Sequence, residues 1–300
     1  MTSKRALFAG LGVVVLWAGA FPAVRVAVPE FGVAGLSVAR LSVAAAVLLL
    51  LAPVLKVKLP ALRDVPLILG CGFFGMAAYQ ILLNWGEVTV PAGTASMIVA
   101  AAPLVSVAVA AVAFGERLTV IKIVGSAVAI TGVALVASAR SELSLSSSVW
   151  ILIGVTIVQG IYHPMIKPLL RRYSGVEVAT YGMVAGTLML LPALPGAWGQ
   201  MGSASAGAWW SVAFLGVFPS ALGFVLWGYA VGRLEMVTST SLLYLVPAFA
   251  VLIAYFWLDE VPVAGELIGG AVVLVGVVTV GLGSAVRARR TTSAVQHQLQ

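Results

Sequence analysis

Residues 94–116 read TASMIVAAAPLVSVAVAAVAFGE, and residues 238–260 read TSTSLLYLVPAFAVLIAYFWLDE. Each is a long apolar run with one proline inside it and a glutamate at its end. Pro103 and Pro247 lie 144 residues apart, as do Glu116 and Glu260, and Gly125 and Gly269. A proline costs a helix a hydrogen bond, so the same defect at the same depth in two apolar runs points to one unit used twice. Duplicated apolar units of this size are the pattern expected of a membrane transporter built from internal repeats.

The rest of the chain agrees with that reading. Of its 300 residues, 61% are hydrophobic and 9% charged, with a mean hydropathy of +1.11. A soluble domain carries roughly 25% charged residues, so this chain cannot cover a water-facing surface. With about 20 apolar residues needed per spanning helix, ten segments can be marked. They are Leu7–Val28, Val33–Leu55, Val65–Trp85, Ala92–Phe114 and Val120–Ala139, then Val149–Leu170, Val178–Ala197, Trp209–Val231, Val237–Leu258 and Val263–Val286. The first could pass for a signal peptide. However, Gly12, Pro22 and Arg25 recur as Gly154, Pro164 and Lys167, each 142 residues on, and a cleaved segment has no reason to be repeated. The single cysteine, Cys71, excludes an internal disulfide and a cysteine metal cluster.

The net charge of +7 reads as helix flanks facing the cytoplasm, not as a nucleic-acid surface. Threading ten spans puts Lys4, Arg5, Lys56, Lys58, Arg63, Arg117, Lys122, Arg171, Arg172, Arg233, Arg287, Arg289 and Arg290 on one side, and Arg140 on the other. Both termini are then cytoplasmic, in an inner cell membrane. Five spans per half is odd, so the halves insert with opposite orientation. The expected architecture is an all-α polytopic membrane protein of two inverted five-helix repeats. Residues 1–139 and 149–286 form the repeats, 140–148 the connector and 287–300 a cytoplasmic tail. Trp198, Trp209 and Trp210 beside an outer loop are expected at headgroup level.

The ordered, duplicated set Leu16-Trp17-Ala18-Gly19, Arg40-Leu41, Ala95-Ser96, Pro103, Gly115-Glu116, Gly125 and Gly132, then Ser239, Pro247, Glu260, Gly269 and Gly276, resembles the drug/metabolite transporter superfamily in its EamA-type branch. The resemblance covers nearly the whole chain except the tail. It implies ten helices in an inverted five-plus-five repeat, and export or exchange of small organic metabolites through a central cavity. The sequence departs from the simplest pattern at Asp259-Glu260, where the first half has Gly115-Glu116.

Polar groups inside apolar spans are costly and should face the bundle interior. Gln159, His163 and Lys167 stand at i, i+4 and i+8 and share a helical face, with Tyr162 adjacent and Pro164 able to bend the helix. Gln159 is the repeat counterpart of Trp17. Gln159 and His163 are expected to line the cavity; the competing role for His163 is a neutral contact to a neighbouring helix. Lys167 can snorkel to the headgroups instead, and Arg25 mirrors that ambiguity. Arg40 either binds a carboxylate or phosphate or braces a helix break. Gln80 and Asn84 share a face; Tyr79 lies beside them. Ser96, Trp227, Ser239, Ser241 and Tyr244 complete the candidates, although small hydroxyl residues also serve close packing. The candidate gating positions are Pro22, Pro103, Pro164 and Pro247. The glycines of the fifth and tenth spans read as a support or dimer contact. Glu116 and Glu260 either cap the next span or form a gating ion pair.

No aspartate or glutamate lies mid-span, so a carboxylate proton relay is not evident. His163 is then the natural titrating group if transport is proton-coupled. No cofactor, metal or nucleotide is expected: there is no GxxxxGK[ST] loop. The expected partners are a small-molecule substrate and the lipid bilayer, with the protein a monomer or weak homodimer. The leading expectation is a secondary transporter that exports or exchanges amino acids or related metabolites. A lipid or polyprenyl-carrier flippase is the alternative, and a membrane-embedded enzyme is disfavoured for want of clustered nucleophiles, acids or metal ligands.

Overall fold

A computed structural model describes residues 2–114, 119–139, 146–234, 239 and 242–279. Among these residues every regular element is a helix. Five helices are long and apolar enough to cross a membrane: α1 (Thr2–Leu51), α2 (Leu62–Gly86), α5 (Ser147–Leu170), α6 (Gly175–Ser203) and α7 (Ala206–Val231). Four are shorter and apolar: α3 (Ala92–Val99, resuming as Ala102–Phe114), α4 (Val120–Ser138), α8 (Leu243–Leu258) and α9 (Ala264–Thr279).

A straight helix of α1's length would run about 75 Å, more than twice a bilayer's hydrocarbon core. The backbone leaves helical geometry at Gly32 (φ 64°, ψ 171°), a conformation a β-carbon would strain. The chain folds back there, and Val13 packs in the same apolar cluster as Val38 and Leu41. Pro22 and Pro29 lie within the first arm without ending it. Pro164 and Pro168 likewise lie inside α5.

Two helices contain π-type turns, at Phe73–Ala78 in α2 and at Gly216–Leu222 in α7. Each lets a neighbour in closely. A β-carbon on Gly75 would sit 2.3 Å from the Tyr162 ring, and one on Gly216 2.5 Å from Val43. The glycines of α4 and α9 face each other. A β-carbon on Gly132 would lie 2.4 Å from the Val273 amide nitrogen, and one on Gly269 2.7 Å from that of Val136. These small residues are used inside the chain, as a helix–helix support.

The surface is apolar where lipid would lie. Phe8, Leu50, Val112, Trp210 and Phe256 are all exposed. Trp209 packs edge-on against Phe31 at 4.9 Å.

Candidate functional site

A small cavity lies between α1, α2, α3, α5 and α8. The paired prolines explain its position. Pro103 is the second residue of the segment Ala102–Phe114, which restarts after a break at residues 100–101. Pro247 is the second residue of Val246–Leu258, which follows a tight turn at Leu243–Leu245. A proline there loses no helical hydrogen bond and favours the start of a helix. Both prolines line the cavity, so the break in each helix lies beside it. The positions expected to bend thus lie at breaks in their helices.

Trp17 and Phe21 form one wall, with Tyr79 and Ser96 beside them and Gln159 and His163 opposite. Gln159 and His163 therefore share the face their spacing predicted. Gln159 Oε1 and His163 Nδ1 are buried and have no hydrogen-bond partner among the described residues. Trp17 is fixed from behind: its Nε1 donates to the Pro219 carbonyl at 3.0 Å, in the π turn of α7. Its ring meets Phe224 at 5.2 Å and Trp227 at 5.5 Å. Ser96 donates to the Gly93 carbonyl at 2.6 Å, leaving its oxygen free to accept.

Several candidates lie elsewhere. Trp227 is fully buried behind the wall, against His163 at 5.3 Å. Tyr162 fills the space over Gly75 and meets Phe224 at 5.9 Å. Tyr244 turns to α9, its hydroxyl 3.5 Å from the Val277 carbonyl. Arg40 is buried and donates from Nε to Ser220 Oγ at 2.8 Å. Gln80 and Asn84 share a face, as predicted, but it is turned to α1; Asn84 Nδ2 donates to Ser37 Oγ at 2.9 Å. Pro22 and Pro164 do not line the cavity, Lys167 is exposed, and Ser241 and Glu116 lie outside the described residues. Sequence reasoning missed Phe21 and Leu243. Phe21 was recoverable, since it is one helical turn from Trp17.

Polar contacts tie the helix ends. At one end Arg25 donates from Nε to Glu260 Oε1 at 3.3 Å, and from Nη1 to the carbonyls of Glu87 and Val88 at 2.7 and 2.9 Å. Glu260 Oε2 also accepts from the Ala92 amide at 2.8 Å. It thus caps α3 rather than the span that follows it, and also makes the ion pair. Glu266, which hydrogen-bonds Thr94, takes the Val263 amide at 2.9 Å. Glu87 and Glu266 are both buried, so the carboxylates at span ends are not all in water. At the other end Asp64 accepts from Arg172 and, at 2.7 Å, from Tyr173.

A ring of apolar helices round an aromatic and amide cavity is a transporter's architecture, and family comparison gives the same answer. The EamA-like transporter family model matches residues 4–138 and again 146–282. The chain belongs to the EamA-like transporter family. It is therefore a multi-pass membrane transporter and not an enzyme. A "Probable terminal-alkyne amino-acid exporter" of Streptantibioticus cattleyicolor is 49% identical over 293 residues, 98% of this chain and 99% of that protein. An "Uncharacterized transporter YdfC" of Bacillus subtilis is 33% identical over 263 residues, 87% and 86% of the two chains. A protein solved by crystallography shares the fold with a TM-score of 0.65 at 17% identity, over 96% of this chain and 99% of its own.

Proposed function

We propose that this EamA-type transporter exports small neutral α-amino acids across an inner cell membrane, by alternating access to the cavity at Trp17, Tyr79, Gln159 and His163. The carrying observation is the pairing of unlike recognition groups in one small space. Gln159 Oε1 is a buried, unpaired acceptor suited to an ammonium group. The His163 ring, whose Nδ1 is also buried and without a partner among the described residues, can donate to a carboxylate. Trp17, Phe21 and Val99 supply an apolar wall for a slender side chain. The Streptantibioticus relative, named for export of amino acids bearing a terminal alkyne, supports this substrate class. A small space lined by aromatic rings, an amide and an imidazole suits a metabolite better than a lipid carrier.

In this reading the two arms of α1 count as separate spans, giving ten in two inverted repeats, with both termini cytoplasmic and the protein acting as a monomer. The end carrying Arg25 and Glu260 is then the outer one. The test is counterflow in proteoliposomes with labelled L-propargylglycine and a panel of neutral, acidic and basic amino acids. Neutral ones should exchange. Gln159→Ala should raise KM about tenfold or more, the loss of one charge-assisted hydrogen bond worth about 1.5–3 kcal/mol. Unchanged KM for every carried substrate would remove Gln159 from the site.

A further inference from the structure

A second buried polar cluster lies between the cavity and the Arg25 end of the helices, and substrate recognition leaves it unused. Gln80, Asn84 and Glu87 stand at i, i+4 and i+7, so they project from one face of α2 and its terminal turn. Ser37 and Arg40 face them from α1. None of the five is more than 2% exposed. Asn84 Nδ2 bonds Ser37, and Arg40 Nε bonds Ser220. Six atoms have no partner among the described residues: Arg40 Nη1, both amide atoms of Gln80, Asn84 Oδ1 and both carboxyl oxygens of Glu87. Each unmade bond of this kind leaves a desolvated polar atom uncompensated. Buried polar groups are ordinarily satisfied, so six together call for an explanation in function.

The cluster has two ends. Glu87 sits directly beneath the Arg25–Glu260 pair, since Arg25 Nη1 holds the Glu87 carbonyl at 2.7 Å. Tyr79, next to Gln80, is part of the cavity wall. Arg40 interacts electrostatically with both Glu87 and Tyr79, so the array reaches from the outer latch to the substrate site.

We propose that Glu87 is a proton-binding site that couples export to proton entry: it loads from outside when the Arg25–Glu260 latch opens, and unloads along the Asn84–Gln80–Tyr79 edge into the cavity. This rests on the export reading above. The charged and titratable groups facing Glu87 are Arg25 and Arg40 from α1, Tyr79 from α2, and Glu260 from the turn between α8 and α9. Burial pushes the Glu87 carboxyl well above the usual carboxylate range; Arg25 and Arg40 pull it down, and Glu260 raises it. When the outer side opens and Arg25 draws away, water reaches the Glu87 carboxylate and a proton from outside adds to one oxygen. When the cavity faces inward, that O–H bond breaks and the proton leaves through cavity water. One proton enters for each zwitterion exported, so one positive charge moves inward per cycle. Export is then driven by membrane potential as well as by the pH gradient.

The test uses purified full-length protein, wild type and Glu87→Gln, a neutral isostere of the protonated side chain. Infrared difference spectra across a pH titration need no substrate. The wild type should show a protonated-carboxyl carbonyl band that persists above the usual carboxylate range, and Glu87→Gln should lack it. In proteoliposomes carrying L-propargylglycine, a pH gradient acid on the side opposite the substrate should accelerate wild-type efflux several-fold. Glu87→Gln should keep exchange at symmetric pH and lose that acceleration. Absence of the band, or an equal gradient response in both proteins, overturns the proposal. A band present in protein that carries none of the amino acids supports the proton site and refutes the substrate reading instead.

Discussion

Removing the Arg25 side chain's charge should open the cavity to the outside. At 3.3 Å, the Arg25–Glu260 pair has a Coulomb attraction of about 5 kcal/mol at an effective dielectric of about 20. The two side chains are 29% and 18% exposed, so water and desolvation offset most of that attraction. The bonds from Nη1 to the Glu87 and Val88 carbonyls add charge-assisted contacts that the open state would exchange for water. A net preference of about 1–3 kcal/mol for the closed end follows, and its loss shifts the closed-to-open ratio by about 5–150-fold. Cysteine accessibility reads that ratio. The native Cys71 is buried, so Ser96→Cys in the cavity wall supplies the target for a membrane-impermeant thiol reagent added outside. In the mostly closed protein, labelling rate follows the open fraction, so Arg25→Gln should raise it by the same factor. Glu260→Gln, which keeps an acceptor for the Ala92 amide but loses the charge, should act in the same direction more weakly. A labelling rate indistinguishable from that of the parent would refute the latch, and acceleration only from the cytoplasmic side would refute the orientation.

Two further outcomes concern stability. Gly132→Ala should lower the melting temperature in detergent. Its new β-carbon meets backbone atoms at 2.4 and 2.8 Å, and overpacking of about 1–3 kcal/mol exceeds the roughly 0.5–1 kcal/mol gained by replacing a helical glycine. Gly154→Ala, where the nearest atom is a leucine methyl at 3.7 Å, should be neutral or stabilising in the same assay. The second outcome is a pH profile. A carboxyl whose folded value is raised contributes stability that is complete below its unfolded value near 4.5 and is lost as pH rises through the folded value. Wild-type stability in chemical denaturant should therefore fall as pH rises above that point, by up to about 1.4 kcal/mol per pH unit, and Glu87→Gln should remove that slope. A slope that survives the substitution would mean that Glu87 titrates normally.

The helical, apolar class and the pairing of Pro103 with Pro247 were legible because they depend on composition and on periodicity, which survive without coordinates. The shared face of Gln159 and His163 was legible for the same reason. The side on which α2 presents its polar residues was not. Tyr79 on one side and Gln80 with Asn84 on another satisfy the same pattern, and the π turn at Phe73–Ala78 inserts a residue that rotates the rest of the helix by about 100°. Trp227 misled for a related reason. Aromatic rings at mid-depth suit both a wall and the layer behind it, and α7's own π turn places Pro219 to hold Trp17 forward and Trp227 back. The burial of Glu87 was not legible, because a position beside a turn suggests water. Its burial depends on Arg25 and the α8–α9 turn closing over it, and those contacts come from residues far away in the chain.

The polar ties at the helix ends differ in what they can control. The Arg25 cluster joins α1, the α2–α3 turn, the start of α3 and the α8–α9 turn. Those are the ends of four of the five helices around the cavity. At the other end the start of α2 is tied to the α5–α6 turn by Asp64 with Arg172 and Tyr173, and the α1–α2 connector is tied to α6 by the Lys58 amide with Glu177 at 3.3 Å and the Lys58 carbonyl with Tyr181 at 2.6 Å. Glu177 and Tyr181 belong to α6, which gives the cavity no wall. A bond between two cavity helices must break for the cavity to open between them. A bond from a connector to an outer helix can persist through that motion. The Arg25 cluster and the Asp64 bonds therefore have the placement of gates at opposite ends, and the Lys58 bonds to α6 that of a fixed brace. The buried Glu87 lies directly beneath the Arg25 gate, where its protonation can be sensed by the cation that holds the gate closed.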